Sequence, residues 1–231
     1  MLMLNEIPWD TQRRHVLLLG ESGSGKTTFA GTFPKPFIAD FELKAKETLA
    51  GKDVGVKEYE KWASFWSDLQ AIGKEAKPGQ FTLEGHTFES LIIDSISFAG
   101  DIMVRDFAKP QLTIADWGLI AKRTEEFLLF IRGLPFHVMV TCHLTMEQSE
   151  TEGLVWLPMM PGKKMPHKIA AYFNDVWAMS FVVDNKERRH VVLTEKTPRF
   201  RLLKNTARGQ WQAEETPNFV SMLNKLTGDK K

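Results

Sequence analysis

Residues 17–31 read LLLGESGSGKTTFAG: an apolar run halts at a glycine, small polar residues follow, and the stretch ends in Lys-Thr-Thr before the chain turns apolar again. Gly20, Gly25, Lys26 and Thr27 satisfy the pattern G-x-x-x-x-G-K-[ST] at every fixed place, with Gly23 as an additional glycine. Glycines let the backbone curl so that successive N–H groups converge on phosphate oxygens, and a helix that follows adds its positive end. The run Gly20, Glu21, Ser22, Gly23, Ser24, Gly25, Lys26, Thr27 and Thr28 is therefore the candidate nucleotide-binding segment. Lys26 is expected to reach the β and γ phosphates, and the Thr27 hydroxyl to sit on Mg²⁺.

Such a loop needs a strand before it and a helix after it. His15–Leu19 has the length and apolar character of a buried strand, and a helix is expected from Lys26 to about Gly31, where Gly31, Pro34 and Pro36 break it. Further apolar strands are read at 36–42, 88–95 and 135–143, each with a polar far end. Between them, residues 59, 62, 65 or 66, 69 and 72 repeat at helical spacing, as do Leu119, Ile120, Phe127, Leu128 and Ile131 within 113–132. The tryptophans of the first helix suit core packing better than base stacking. Alternation of helices and apolar strands through residue 143 implies an α/β fold with a mostly parallel sheet covered on both faces.

Beyond residue 143 the pattern changes. Residues 144–168 contain Pro158, Pro161, Gly162 and Pro166 and show no clean period, so they are expected to be a long functional or mobile loop. Two apolar runs around DNKERR, within 176–195, predict a β-hairpin extension; RFRLLKN offers one more strand, and NFVSMLNKL a short helix. One domain is expected over 1–231: an N-terminal arm or strand at 1–14, the nucleotide-binding core at 15–143, the loop at 144–168, strands at 169–210 and a tail at 211–231.

Lysines and arginines number 30 against 29 aspartates and glutamates, so bulk charge steers the chain toward no acidic partner and any nucleic-acid surface must be local. The single cysteine, Cys142, allows no intrachain disulfide and no thiolate metal cluster, which fits a reducing cytoplasm. No apolar stretch approaches the ~18 residues that span a bilayer, and the start MLMLNEIPWD lacks the basic and apolar regions of a secretion signal. No membrane partner is expected.

A triphosphate site wants a carboxylate for the metal at the end of a neighbouring strand, and Asp94, closing SLIID, has that position. Hydrolysis also wants a group to orient or deprotonate water. Ser95 and Ile96 follow Asp94, so no second acid adjoins it; Asp40 and Glu42 are the next candidates, with Glu42 preferred and a helix-capping role its alternative. At the end of 135–143, His143 could sense the γ-phosphate or be a structural histidine, whereas a structural role is the simpler reading for Thr141.

Two regions concentrate positive charge. PMMPGKKMPHK carries Lys163, Lys164 and Lys168 without an acid, flanked by Met159, Met160 and Met165. Residues 186–208 hold eight lysines and arginines, among them Lys204 and Arg208, against Glu187 and Glu195. Either region could neutralise DNA phosphates or be a solvated face, and the second could instead reach into a neighbour's nucleotide site.

Taken with GESGSGKTT, the order FIADFE, LIIDS, MVTCHL and PMMPGKK resembles the RecA-like P-loop ATPase core, and more closely the phage-encoded ATP-binding proteins of the single-strand annealing and recombination group. The resemblance covers about residues 13–210. It implies a RecA-like P-loop NTPase fold, with a mostly parallel central sheet flanked by helices, and a Mg²⁺-dependent ATPase stimulated by DNA. It puts the catalytic glutamate at Glu42, the magnesium acid at Asp94 and the sensor at His143, where RecA-like proteins usually carry glutamine. It implies DNA-facing loops at 145–168, through Lys163, Lys164 and Lys168, and at about 99–113, which holds Arg105 and Lys109 beside Asp101 and Asp106. Homo-oligomers are implied too, with ATP at a subunit interface completed in trans by Lys204 and Arg208. The setting would be phage recombination or strand annealing on single-stranded DNA in a bacterial host's cytoplasm, with a single-strand binding protein as a further partner. Nucleotide-switched interaction proteins without significant turnover, and DNA motor or packaging ATPases, are the alternatives.

Overall fold

Every residue of the first strand, His15–Leu19 (β1), is buried, which a strand achieves only when both of its faces are covered. Alternate side chains go to opposite sides: Leu17 and Leu19 enter one core, Val16 and Leu18 the other. The neighbouring strands repeat the sorting, with Leu91 and Ile93 on the first side and Ile92 on the second. A computed structural model describes residues 13–107, 112–149, 153–184, 187–207 and 209–227.

In chain order, the parallel core continues through Lys26–Ala30 (α1), Pro36–Asp40 (β2), Ala45–Thr48 (α2), Gly55–Glu58 (β3) and Trp62–Lys74 (α3). A small antiparallel pair, Phe81–Leu83 (β4) and His86–Phe88 (β5), precedes Ser90–Asp94 (β6), Ile96–Phe107 (α4), Ile114–Gly133 (α5) and His137–Cys142 (β7). Then come Leu144–Ser149 (β8), Gly153–Pro158 (β9), Met165–Lys168 (α6), Asp175–Asp184 (β10), Glu187–Leu193 (β11), Glu214–Glu215 (β12) and Phe219–Thr227 (α7). The main sheet runs β12-β11-β10-β1-β7-β6-β2-β3. Strands β10, β1, β7, β6, β2 and β3 are parallel to their neighbours, and β11 returns antiparallel along β10 to make the C-terminal hairpin edge.

On the first face, Trp62, Phe65 and Leu69 of α3 pack with Phe127 and Ile131 of α5, so the tryptophan-bearing helix is core, as its spacing predicts. On the second face, Phe219 of α7 stacks on Phe33 at 3.6 Å between ring centroids, and its N–H donates to Thr32 Oγ1 at 2.9 Å. The C-terminal helix thereby packs on the turn that follows α1 and, through the edge of Phe29, on α1 itself. α5 starts with a capping box in which Thr113 Oγ1 accepts from the Asp116 N–H and Asp116 accepts from the Thr113 N–H.

Three expectations need correction. Residues 144–168 are not a structureless loop: β8 and β9 pair with each other in a two-stranded ribbon, Leu144 opposite Pro158, and α6 follows. Most of 99–113 is helix α4 rather than a DNA-facing loop; Arg105 donates to the Glu60 carbonyl and Asp106 accepts from the Trp62 N–H at 2.7 Å, so both are committed to the start of α3. RFRLLKN forms a turn with a single bridge, Lys204 to Val176, in place of a strand. The N-terminal arm through residue 12, Lys109, Lys186 and Arg208 lie outside the described residues. Among the described residues, no helix is long and apolar enough to cross a membrane.

Candidate functional site

The loop that follows β1 turns on two glycines with positive φ, Gly23 at 74° and Gly25 at 96°, a region closed to most side chains. Gly20 is needed for space instead, since a Cβ there would stand 2.6 Å from Ser24 Oγ. The loop is tied to the next strand by the Gly20 N–H, which donates to the Cys142 carbonyl at 3.1 Å. Helix α1 is only five residues long, so the macrodipole expected to assist the loop is small, and the lysine and backbone N–H groups carry the anion preference.

Lys26 is 5 % exposed, and its Nζ donates to the carbonyls of Gly20 at 3.1 Å and Glu21 at 2.9 Å. Burial lowers its pKa, while the charges of Glu42 and Asp94 act in the opposite direction. One residue on, Thr27 Oγ1 donates to Asp94 Oδ2 at 2.6 Å, and the other Asp94 oxygen accepts from Thr141 Oγ1. Thr141 is thus part of this cluster, orienting the aspartate. Burial raises the Asp94 pKa in spite of the two hydroxyl donors. A hydroxyl and a carboxylate in contact beside a phosphate-shaped loop match the sparse protein ligation that Mg²⁺ accepts, with phosphates and water filling the rest.

The two acids at the end of β2 have separate tasks. Asp40 is fully buried: Oδ1 accepts from the N–H groups of Glu42 and Leu43, both at 2.9 Å, and Oδ2 from those of Lys44 at 2.9 Å and Ala45 at 2.8 Å. Its carboxylate has no capacity left for water and serves as the anchor of the turn. Glu42 instead borders the cleft. Burial pushes its pKa up, but the His143 hydrogen bond and the nearby positive charges pull harder, and the net effect is a pKa below the usual carboxylate range. As an ionised carboxylate is acceptor-only, His143 Nε2 is the donor to Glu42 Oε1, at 2.6 Å. His143 itself is held by Ser97, whose Oγ accepts from the His143 N–H at 2.9 Å, and its ring meets Phe98 edge-on at 5.7 Å.

These groups surround one cleft of about 320 Å³, with Gly23, Lys26, Thr27, Glu42 and His143 in its walls. Lys44 and Thr48 also line it, and no motif pointed to them. A second group that sequence reasoning missed lies on the outer side of the loop: Arg199 Nη2 is 2.9 Å from Glu21 Oε1, and the same guanidinium lies 4.4 Å from the Trp156 ring centroid in β9. With Arg199 and Glu21 178 positions apart, no local pattern could reveal the pair.

The candidate basic residues divide. Lys163 and Lys164 are exposed, but Lys168 is ion-paired with Glu125 of α5 at 2.7 Å and is not the free phosphate ligand that its sequence neighbourhood implied. Lys204 exchanges backbone hydrogen bonds with Val176, next to the start of β10 and away from the phosphate loop of its own chain. Burial lowers its pKa, opposed by the charge of Asp175.

The family model described as AAA domain (AAA_24) matches residues 12–202, which span the loop, both strand-end acids, the ribbon and the hairpin. The chain belongs to this AAA-domain family. Its fold is an α/β P-loop NTPase core of RecA-like type. No curated protein matches the sequence. Among solved structures it is similar to the flagellar accessory protein FlaH from Methanocaldococcus jannaschii, at 10 % identity and a TM-score of 0.46, over 87 % of this chain and 83 % of that one. It is also similar to a KaiC-like protein from Pyrococcus horikoshii OT3, at 14 % identity and a TM-score of 0.38, over 78 % of this chain and 77 % of that one.

Proposed function

We propose that this AAA domain binds Mg-ATP in the cleft and hydrolyses it to ADP and phosphate. The observation that carries this reading is the 2.6 Å contact of buried Asp94 with Thr27, which lines the cleft together with Lys26 and Glu42. The curled backbone from Gly23 to Gly25 would receive phosphate oxygens on its N–H groups, and Lys26 would exchange its two loop carbonyls for the β and γ phosphates. Thr27 and Asp94 would hold the magnesium, which when bound neutralises phosphate charge. Glu42, ionised at neutral pH, would accept a proton from the water whose oxygen attacks the γ-phosphorus as the bond to the β-phosphate oxygen breaks. His143 would keep the glutamate aimed.

The His143–Glu42 bond also favours a second reading, a nucleotide-switched interaction protein with negligible turnover, because it occupies one of the two oxygens that a water could use. Single-stranded DNA as a stimulating partner belongs to the first reading through Lys163 and Lys164, and a homo-oligomer with a shared site through Lys204 of a neighbouring copy. Turnover of ATP by the unaltered chain and by Lys26→Ala, with and without single-stranded DNA and with particle size measured on the same samples, separates these. A rate abolished by Lys26→Ala supports the ATPase, and a negligible rate in every condition with ATP still bound supports the switch. An unchanged rate in Lys26→Ala would sink the site.

A further inference from the structure

We infer that Lys44 is a second phosphate-contacting cation of the cleft, supplied by the chain itself and directed at the terminal phosphate of a nucleoside triphosphate. The inference rests on the nucleotide reading above and assigns a residue that no motif marks.

Four backbone N–H groups, those of residues 42 to 45, all donate to the one buried carboxylate of Asp40 at 2.8–2.9 Å. That clip fixes the backbone of Glu42 and Lys44 relative to each other. Between them, Leu43 adopts φ 58°, a left-handed conformation that a leucine holds only where its surroundings over-determine it. Both flanking residues line the cleft opposite Gly23, Lys26 and Thr27. The anchored turn therefore presents a carboxylate and an ammonium-bearing side chain together to the cleft that the phosphate loop lines.

Lys44 has no ion-pair partner among the described residues, whereas Lys46, two positions on, is paired with Glu58 at 2.7 Å. Its charge instead falls on the cleft, adding to the burial that lowers the Lys26 pKa. Two ammonium groups sharing a pocket repel each other, and a polyanion between them converts that repulsion into attraction for both. Lys26 stands at the start of α1, on the side of the loop. Lys44 follows Glu42 on the same anchored turn, the side from which water would attack in the reading above, and would there meet the last phosphate of the chain rather than the first.

The test is equilibrium binding of a non-hydrolysable ATP analogue and of ADP, each with Mg²⁺, to the unaltered protein, Lys44→Ala and Lys44→Arg. Removing the ammonium in Lys44→Ala should weaken binding of the analogue by about tenfold or more and leave ADP within about twofold, and Lys44→Arg should largely restore the analogue's affinity. Retained ADP binding also certifies that the variant is folded. Equal weakening of both nucleotides, or no weakening of either, would overturn the assignment of Lys44 while leaving the nucleotide site intact. Failure of the unaltered protein to bind either nucleotide would overturn the functional reading and this inference with it.

Discussion

Asp40 and Asp94 are cross-strand neighbours, ending adjacent parallel strands in register, yet their carboxylates are put to opposite uses. Asp40 is saturated by four backbone N–H groups, whereas among the described residues the Asp94 carboxylate is met only by the hydroxyls of Thr27 and Thr141. Hydroxyl donors can turn toward another acceptor and leave the carboxylate to a metal. Backbone donors inside a turn cannot.

Asp94→Asn tests that difference. Because burial raises the folded-state pKa of Asp94, its ionisation favours the unfolded chain: its contribution to stability is present below the ordinary carboxylate pKa and lost as pH rises through the folded value. Without magnesium, Asp94→Asn should therefore melt at or above the temperature of the unaltered protein at neutral pH, while losing the rise in melting temperature that Mg-ATP gives. Thermal scans with and without Mg-ATP read both; a variant that melts lower and still responds to Mg-ATP would refute the assignment.

Glu42→Gln keeps a hydrogen-bonding group beside His143 but removes the carboxylate proposed as the base. Turnover should fall by about 10²–10⁴-fold with ATP affinity retained within a few-fold. Steady-state kinetics beside equilibrium binding would show it, and a rate within threefold of the unaltered protein would remove Glu42 from the chemistry.

Asp40→Asn should act through the turn. An amide in place of one carboxylate oxygen confronts the N–H groups of Lys44 and Ala45 with another donor, and an unmet buried donor costs about 1–3 kcal/mol. The expected result is a lower melting temperature with a larger loss in kcat than in ADP affinity. Equal losses in both would mean that Asp40 supports the fold alone.

Acid should weaken the fold well before carboxylates titrate. His15 and His137 sit at the opposite end of the sheet from the cleft, and both have pKa values lowered to about 4, first by burial and then by neighbouring arginines, Arg13 for His15 and Arg14 for His137. The neutral forms are built in: His137 Nδ1 accepts from the Arg14 N–H at 3.1 Å. With folded values below the unfolded ~6.5, the unfolded chain binds more protons, so stability is full above about pH 6.5 and falls as pH drops toward 4. Denaturant midpoints measured across that window should decline, less steeply in His137→Gln. A flat profile would contradict the burial of both rings.

Much of this arrangement was legible because its signals are local. The strands at His15–Leu19 and Pro36–Asp40, the second read to 42, announce themselves through apolar runs, and the helix from Ile114 through the spacing of Ile120, Phe127, Leu128 and Ile131. The ribbon β8–β9 was not, since each strand pairs only with the other and exposes Met146 and Leu154, leaving no core-facing period to read. β4 and β5 are three residues each, too short for any period. The site was legible to the same degree: Lys26, Thr27 and Asp94 follow from spacing, whereas the separate tasks of Asp40 and Glu42 depend on which backbone N–H groups turn back, and that is decided by the left-handed Leu43.

Both legs of the ribbon are rooted at His143, whose carbonyl accepts from the Met159 N–H at 2.8 Å and whose ring is held by Glu42. Six residues of strand project roughly 20 Å, so a small rotation at that root is magnified toward the far end like the swing of an oar about its rowlock. Arg199, touching both Glu21 and Trp156, ties the ribbon to the phosphate loop, and His167 ties it to α6 through Glu147. A body resting against the ribbon would register what the cleft holds without ever touching a phosphate.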